Sequence, residues 1–203
     1  EAFDLPVREV IDEDGVLGLG PATGRLGTAS ANAVLARAAE LNLKVIWALE
    51  THAHADHLSG VRRLAQRTGA AVLAHAASKL KRPARRITGG TTFELGTKTV
   101  TVLDAPGHTP DSLAILVDGH LFTGDALFAG GAGRTDFMGG SASDLFDTLR
   151  GFETLPDETV VHPGHDYVGH AVSTIGEEKA QNPLLRERDR AGFVAKLSGK
   201  TPP

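Results

Sequence analysis

Four potential metal ligands lie within six consecutive residues of this chain, and no other feature limits its fold so strongly. His52, His54, Asp56 and His57 occupy the segment Thr51-His-Ala-His-Ala-Asp-His-Leu58. Alternate residues of an extended segment point the same way, about 7 Å apart, so the first three can face one point, and His57 can join them where the chain turns. A polar loop in which Asp56 caps the next helix needs only one carboxylate and no histidine. The pattern therefore predicts a metal site.

Three further ligand candidates follow predicted strands, and each comes directly after a glycine. They are His108 in Ala105-Pro-Gly-His-Thr-Pro110, Asp125 in Phe122-Thr-Gly-Asp-Ala126 and His165 in His162-Pro-Gly-His-Asp-Tyr167. Side chains just past the carboxyl ends of strands converge on one edge of a sheet, where αβ proteins place their sites. A lone Pro-Gly-His is commonly an ordinary turn. Together with the six-residue cluster, however, the three candidates predict a single site.

Composition narrows the classes of function. The chain has 203 residues and is 41% hydrophobic, which suits one compact domain with a sizeable core. Its net charge of −4 shows no basic excess and argues against a nucleic-acid partner, and no apolar run approaches the roughly 18 residues of a membrane span. Cysteine is absent, so any sulfur substrate must arrive on a diffusible thiol. The default expectation for the compartment is a reducing cytoplasm.

Hydrophobic periodicity predicts strands that alternate with helices. The predicted helices cover 29–42, 60–67, 143–150, 171–181 and a last helix from 182 to about 197. The predicted strands cover 44–49, 71–74, 92–95, 98–103, 112–117, 120–123 and 159–161. The first 27 residues are Gly-rich and give no clear pattern. The basic segment 79–86 is expected to be a solvated loop, with steering of an anionic substrate as the less favoured alternative.

The order HxHxDH, PGHT, GD and GH resembles the metallo-β-lactamase superfamily, whose fold is an αββα sandwich of two mixed sheets flanked by helices. A closer resemblance is to the persulfide dioxygenases, the family of the ethylmalonic encephalopathy protein. It rests on the segments 50–59, 123–127, 133–137, 165–167, 173–175 and 177–183. The GRTDF and HDY…EEKxxNP segments separate this family from the thioester hydrolases. We expect residues 1–203 to form a single domain, with C-terminal helices at about 168–197 as an appendage.

The resemblance implies one Fe(II) per chain, held by His52, His108 and Asp125. This is the two-histidine, one-carboxylate face of non-heme iron oxygenases. The other candidates would orient these ligands and move protons, or would contribute to a second metal site; they are His54, Asp56, His57 and His165. In the two-metal arrangement Asp125 would bridge the metals. The spacing alone leaves both arrangements open.

The resemblance further implies that glutathione persulfide is oxidised by O2 and water to sulfite and glutathione. It assigns catalytic roles to Arg134, Tyr167 and His165, of which the first two would also bind substrate. Arg134 would bind a carboxylate or the persulfide anion, and the alternative is an ion pair with Asp136 or Asp125. Tyr167 would donate a hydrogen bond to the substrate, and the alternative is a buried ring. The resemblance also suggests a homodimer.

Two other functions remain as alternatives. The first is a binuclear zinc thioester hydrolase like glyoxalase II, which usually has a larger helical domain after its last ligand than the segment that follows His165. The second is a non-catalytic metal-binding or partner-binding domain. The absence of one or more of the family's metal-ligand residues from the sequence would indicate such a domain, and all of these residues are present. The remaining histidines are expected not to bind metal, and they are His75, His120, His162 and His170. Trp47 is expected in the core.

Overall fold

The structure is a computed structural model that describes residues 8–12, 15–19, 27–53, 60–81, 83–167, 169 and 172–199. An antiparallel hairpin of β1 (Arg8–Asp12) and β2 (Gly15–Leu19) opens the described chain. The helix α1 (Gly27–Glu40) follows. A sheet of three parallel strands then contains β3 (Trp47–Leu49), β4 (Ala71–His75) and β5 (Arg85–Ile87), and α2 (Val61–Thr68) connects the first two.

A second, six-stranded sheet has the order β11-β10-β9-β8-β7-β6. Its strands are β6 (Thr92–Leu95), β7 (Lys98–Asp104), β8 (Leu113–Val117), β9 (His120–Gly124), β10 (Val160–Pro163) and β11 (Ser173–Thr174). The helices after β9 are α3 (Ala142–Phe152), α4 (Ile175–Gln181), α5 (Pro183–Arg186) and α6 (Arg190–Leu197). This sheet is mixed, because β9 and β10 are parallel while its other pairs are antiparallel.

The topology brings three strand ends to the same edge of the mixed sheet. Two antiparallel steps separate β7 from β9, so these strands run in the same direction, and β10 is parallel to β9. His108, Asp125 and His165 follow the carboxyl ends of these three strands. The convergence expected from the sequence is therefore present.

Three buried apolar clusters define the layers. Ala48 of β3 packs with Leu64 of α2 on the outer face of the parallel sheet. Between the two sheets, Leu73 of β4 packs with residues of the mixed sheet such as Phe122. On the far side of the mixed sheet, the third cluster contains α3 and the C-terminal helices, with Phe193 fully buried. The order helix, sheet, sheet, helix is the αββα sandwich expected from the sequence.

Local signals in the sequence explain several features of this fold. The hairpin between β8 and β9 turns at Asp118 and Gly119, whose φ angles are 47° and 76°, as a two-residue Asp-Gly turn requires. Ser141 caps α3, and its side chain accepts a hydrogen bond from the backbone N–H of Asp144. Trp47 packs against the core between the sheets, where its ring lies 5.8 Å from that of Phe93.

Other predictions were correct only in part. The basic segment 79–86 is not only a solvated loop, because β5 begins at Arg85 and the Arg86 guanidinium donates to the carbonyl oxygens of four residues. These are His75, Ala76, Ser78 and Leu80. Arg86 therefore stabilises the conformation of the preceding loop, because its charged guanidinium group bonds to the carbonyl oxygens of that loop.

The C-terminal segment also differs from the prediction. The helix expected at 171–181 begins only at Ile175, because residues 173–174 pair with β10 and Thr174 forms a capping box with Glu177. The last helix is split at 187–189, where Asp189 caps α6. Among the described residues, none of the helices has the length and apolar character needed to cross a membrane.

Candidate metal centre

Asp125 lies at the centre of the candidate site, directly after β9. Its Oδ2 atom lies 3.7 Å from His52 Nε2 and 3.6 Å from His108 Nε2. Its Oδ1 atom accepts a hydrogen bond of 2.9 Å from His165 Nδ1. The two carboxylate oxygens thus have different partners: one faces the two other proposed ligands, and the other is engaged by an imidazole.

His52 is placed by the segment that leaves the parallel sheet after β3. The carbonyl oxygen of Thr51 accepts a hydrogen bond of 2.7 Å from the backbone N–H of Leu113 at the start of β8. Gly124 has a positive φ of 52°, and a Cβ there would lie 2.8 Å from Thr51 Oγ1. Glycine favours this backbone conformation and leaves room for the Thr51 side chain. The two sheets therefore meet where His52 and Asp125 face each other.

His108 is oriented by a loop that comes much later in the chain. Its Nδ1 atom lies 2.7 Å from the backbone carbonyl oxygen of Arg134. Because a carbonyl only accepts, Nδ1 carries a proton, and Nε2 is the ring nitrogen that faces Asp125 and could bind a metal. A metal-binding histidine commonly donates its other N–H in this way. The His108 ring also packs edge-on against His52, with 5.0 Å between ring centroids.

These contacts make the three side chains suitable for a metal ion. One ligand atom from each of His52, His108 and Asp125 lies within 4.8 Å of the others, and all three residues are buried. Burial disfavours the charged carboxylate of Asp125. The hydrogen bond from His165 and the charges of His52, His165 and His108 outweigh this, and lower the pKa of Asp125 from 3.8 to about 2. Two imidazole nitrogens and an ionised carboxylate fit a transition metal.

The structure brings three further predicted site residues, His165, Tyr167 and Arg134, to the same place. His165 is buried against Asp125, and its ring stacks on that of Tyr167, with centroids 5.5 Å apart. Tyr167 is 58% exposed, so its ring is not buried as one alternative required. Arg134 forms a two-pronged ion pair with Asp136, which raises the pKa of the arginine.

Three residues of the opening motif cannot be placed. His54, Asp56 and His57 lie outside the described residues, and so does His170. Of the histidines expected not to bind metal, His75 contacts Asp104 at 3.4 Å, whereas His120 and His162 share a hydrogen bond of 2.9 Å.

A cavity of about 530 Å³ opens over the candidate site. His108, Asp125 and His165 lie on its lining, and Phe128 and Phe137 form apolar walls. Its lining also includes Arg134 and Tyr167. The cavity is large enough for a small organic substrate.

Asp111 supports the site but was not singled out from the sequence. It is buried, and its Oδ2 accepts from the backbone N–H of Ala53 while its Oδ1 accepts from Thr109 Oγ1. These donors directly follow His52 and His108. The only signal in the sequence was its place three residues after the PGH motif, and that spacing does not show that it reaches a segment 58 residues earlier.

Glu178 and Asn182 were also noticed only as part of a family motif. The Glu178 carboxylate accepts a hydrogen bond from the backbone N–H of Gly130, and the Asn182 side chain donates to the carbonyl oxygen of Gly131. Both therefore contact the loop that lines the cavity. Their spacing of four residues predicts one helical face but not the loop that it meets.

The αββα architecture with a buried His–His–Asp group at its sheet edge defines a class of metalloproteins. The sequence profile of the Metallo-beta-lactamase superfamily matches residues 17–85 and 77–165. The chain therefore belongs to the metallo-β-lactamase superfamily.

Two ETHE1 proteins of this superfamily are similar to the chain. The crystal structure of ETHE1 from Myxococcus xanthus superposes with a TM-score of 0.83 at 36% identity, covering 97% of this chain and 92% of that one. The mitochondrial persulfide dioxygenase ETHE1 of Homo sapiens is 36% identical over 72% of this chain and 59% of its own length.

Relatives with other names match equally well. A "Beta-lactamase hydrolase-like protein" of Xylella fastidiosa is 36% identical over 90% of this chain. A hydroxyacylglutathione hydrolase of Halorhodospira halophila is 38% identical over 78% of it. The chain spans 48% and 62% of the lengths of these two proteins. The comparisons therefore show the superfamily.

Proposed function

We propose that this chain is a persulfide dioxygenase that uses one Fe(II), held by His52, His108 and Asp125. The proposed reaction takes glutathione persulfide, O2 and water to glutathione and sulfite. The outer sulfur loses four electrons, which reduce O2, and the sulfur–sulfur bond breaks as water enters. Iron bound at this face would supply redox activation of O2 and coordination positions for the reactants.

One observation supports a single metal more than any other. The Oδ2 atom of Asp125 faces His52 and His108, while its Oδ1 atom accepts a hydrogen bond from His165 Nδ1. Asp125 Oδ1 and His165 Nδ1 are bonded to each other, so neither of these two atoms could bind a second metal without breaking that hydrogen bond. The arrangement instead fits a ligand whose orientation is held by a neighbouring imidazole.

The surrounding residues suit the chemistry of a persulfide. Phe128 and Phe137 line the cavity and limit the access of water to the reacting sulfur. Arg134 lies at the exposed rim, where its guanidinium lies 4.5 Å from the centroid of the Phe137 ring. Its guanidinium is paired with Asp136, so the proposal requires that the persulfide anion or a carboxylate of its carrier thiol shares or replaces this partner. His165 keeps Asp125 in its ionised form, and Tyr167 stacks on that imidazole, where its hydroxyl can donate to the substrate.

The resemblance to ETHE1 proteins adds to this proposal. The M. xanthus ETHE1 structure covers nearly the whole chain. Residues of the GRTDF segment line the cavity, and the EEKxxNP segment contacts the loop that forms the cavity wall. The absence of cysteine from the chain also requires that the sulfur be carried by another molecule.

A binuclear zinc thioester hydrolase is the second candidate. The hydroxyacylglutathione hydrolase match favours it, and so does the presence of His54, Asp56 and His57, which could complete a second metal site. Both candidates use a glutathione-linked substrate, so the metal and the oxygen requirement distinguish them.

The deciding experiment combines metal analysis of anaerobically purified protein with turnover measured in an oxygen electrode. We expect about one iron per chain, and oxygen consumption with glutathione persulfide but none with glutathione alone. Two zinc ions per chain with hydrolysis of S-lactoylglutathione would select the second candidate. Metal binding without either activity would leave a non-catalytic metal-binding domain.

A further inference from the structure

The loop from Phe128 to Arg134 forms one wall of the cavity and also contacts two proposed ligands. The backbone N–H of Gly133 donates to the carbonyl oxygen of Asp125 at 3.0 Å. The carbonyl oxygen of Arg134 accepts from His108 Nδ1 at 2.7 Å. The position of this backbone therefore determines where Asp125 sits and how the His108 ring is turned.

Two residues of the C-terminal segment hold the same loop from behind. Glu178 of α4 is 3% exposed, and its two oxygens lie 3.2 and 3.0 Å from the backbone nitrogen of Gly130. Asn182 donates from Nδ2 to the carbonyl oxygen of Gly131 at 3.1 Å and to Glu178 Oε2 at 2.7 Å. The amide thus connects the buried carboxylate to the loop. Hydrogen bonds to a buried charged group are among the stronger ones in proteins.

We propose that Glu178 and Asn182 are positioning residues for the metal site. They fix Gly130 and Gly131, so that the backbone three residues further on holds Asp125 and His108 in the geometry that binds metal. This inference rests on the proposed metal site, but it does not depend on which reaction the site performs.

A glutamate near the start of α4 could serve to cap the helix, but the neighbouring residue Glu177 already has this role. Glu177 completes the capping box of α4, since its carboxylate accepts from the backbone N–H of Thr174 at 2.9 Å. Glu178 faces the loop instead. Burying a carboxylate costs free energy unless it is well hydrogen-bonded, and the Glu178 carboxylate accepts hydrogen bonds from the loop and from Asn182. Its placement is therefore explained by the loop and not by the start of the helix.

The test compares Glu178→Gln with the matched change Glu177→Gln. Gln at position 178 keeps the volume but turns one acceptor into a donor that faces Gly130 or Asn182. We expect the dissociation constant for Co²⁺, measured by titration of metal-free protein and by the visible absorption of the bound ion, to rise about tenfold or more. Glu177→Gln preserves a capping box and should leave the Co²⁺ dissociation constant within about twofold of wild type.

Two further variants separate positioning from general stability. Glu177→Ala weakens the start of the same helix and should lower the melting temperature of the metal-free protein without altering the Co²⁺ spectrum. Asn182→Ser retains a hydroxyl that can cap α5 but cannot reach Gly131, so it should weaken Co²⁺ binding as Glu178→Gln does. It also serves as the test if Glu178→Gln does not fold.

The outcomes are distinguishable. A folded Glu178→Gln or Asn182→Ser variant with the wild-type Co²⁺ affinity and spectrum would overturn the positioning role and leave the metal site standing. Wild-type protein that binds no Co²⁺ at all would overturn both the metal site and this inference.

Discussion

Replacing Gly164 with alanine tests whether the Asp125 carboxylate is held by the backbone that precedes His165. A Cβ at position 164 would lie 2.5 Å from Asp125 Oδ1, and 3.1 and 3.2 Å from the carbonyl carbon and oxygen of Gly124. Gly164 does not have a positive φ, so alanine can adopt its backbone conformation. The effect of the added methyl group is therefore steric.

The size of the disturbance follows from these distances. Non-bonded carbon and oxygen atoms rarely lie closer than about 3.3 Å, so Asp125 Oδ1 and residue 164 must separate by about 0.8 Å. The Gly124 backbone cannot retreat easily, because its carbonyl oxygen accepts from the N–H of Gly164 at 2.8 Å. The carboxylate must move instead, which disrupts its 2.9 Å bond with His165.

We expect Gly164→Ala to lower the free energy of unfolding by about 1–3 kcal/mol, as overpacking of a well-packed site usually does. Metal affinity should fall about 10- to 100-fold, and turnover should fall by about 100-fold, because a shift of this size misplaces the reacting groups. Urea unfolding, metal retention after chelator competition, and the oxygen electrode measure the three effects.

The matched control is Gly151→Ala in α3, where a Cβ would meet nothing within 4 Å. That change should leave metal affinity and turnover unchanged and should raise the free energy of unfolding by up to about 1 kcal/mol, because alanine favours a helix more than glycine does. If Gly164→Ala matched this control in metal affinity and stability, Asp125 would not be packed against this backbone and the reasoning would fail.

Three other predictions concern the same site. Asp125→Ala should abolish metal retention and activity while circular dichroism shows a folded protein, and retained iron with unchanged turnover would remove Asp125 from the ligand set. In the metal-free protein, the lowered pKa of Asp125 means that the stability from its charge is present above pH 3.8 and lost as the pH falls through about 2. The difference in unfolding free energy between wild type and Asp125→Asn should therefore shrink by on the order of 2 kcal/mol over this range; a constant difference would contradict the shift. Arg134→Ala should raise KM for glutathione persulfide several-fold with unchanged metal content, because His108 bonds to the backbone oxygen that alanine keeps. Loss of metal in this variant would instead assign the side chain to loop structure.

Elements with a local signal were predictable from the sequence. The Asp118-Gly119 turn and the Ser141 cap depend on neighbouring residues only. The ligand candidates of the two-histidine, one-carboxylate face were also recognisable, because each ends a strand-like run and His52 belongs to an unusually dense cluster. The start of α4 was misplaced, since two residues before it pair with β10, and that pairing depends on a partner strand elsewhere in the chain.

The sequence by itself therefore determined the candidate ligands and the kind of chemistry that histidines and a carboxylate allow, and the resemblance of its motifs to a known superfamily implied the αββα fold. Only the tertiary structure decided how these groups are oriented: His165 meets Asp125 across 40 positions of the chain, and His108 meets the Arg134 carbonyl across 26. It also revealed that Glu178 reaches Gly130 across 48 positions. The physical reason is that a side chain's type and its local periodicity are properties of a short segment. The hydrogen bonds that orient a ligand form only when packing brings distant segments together.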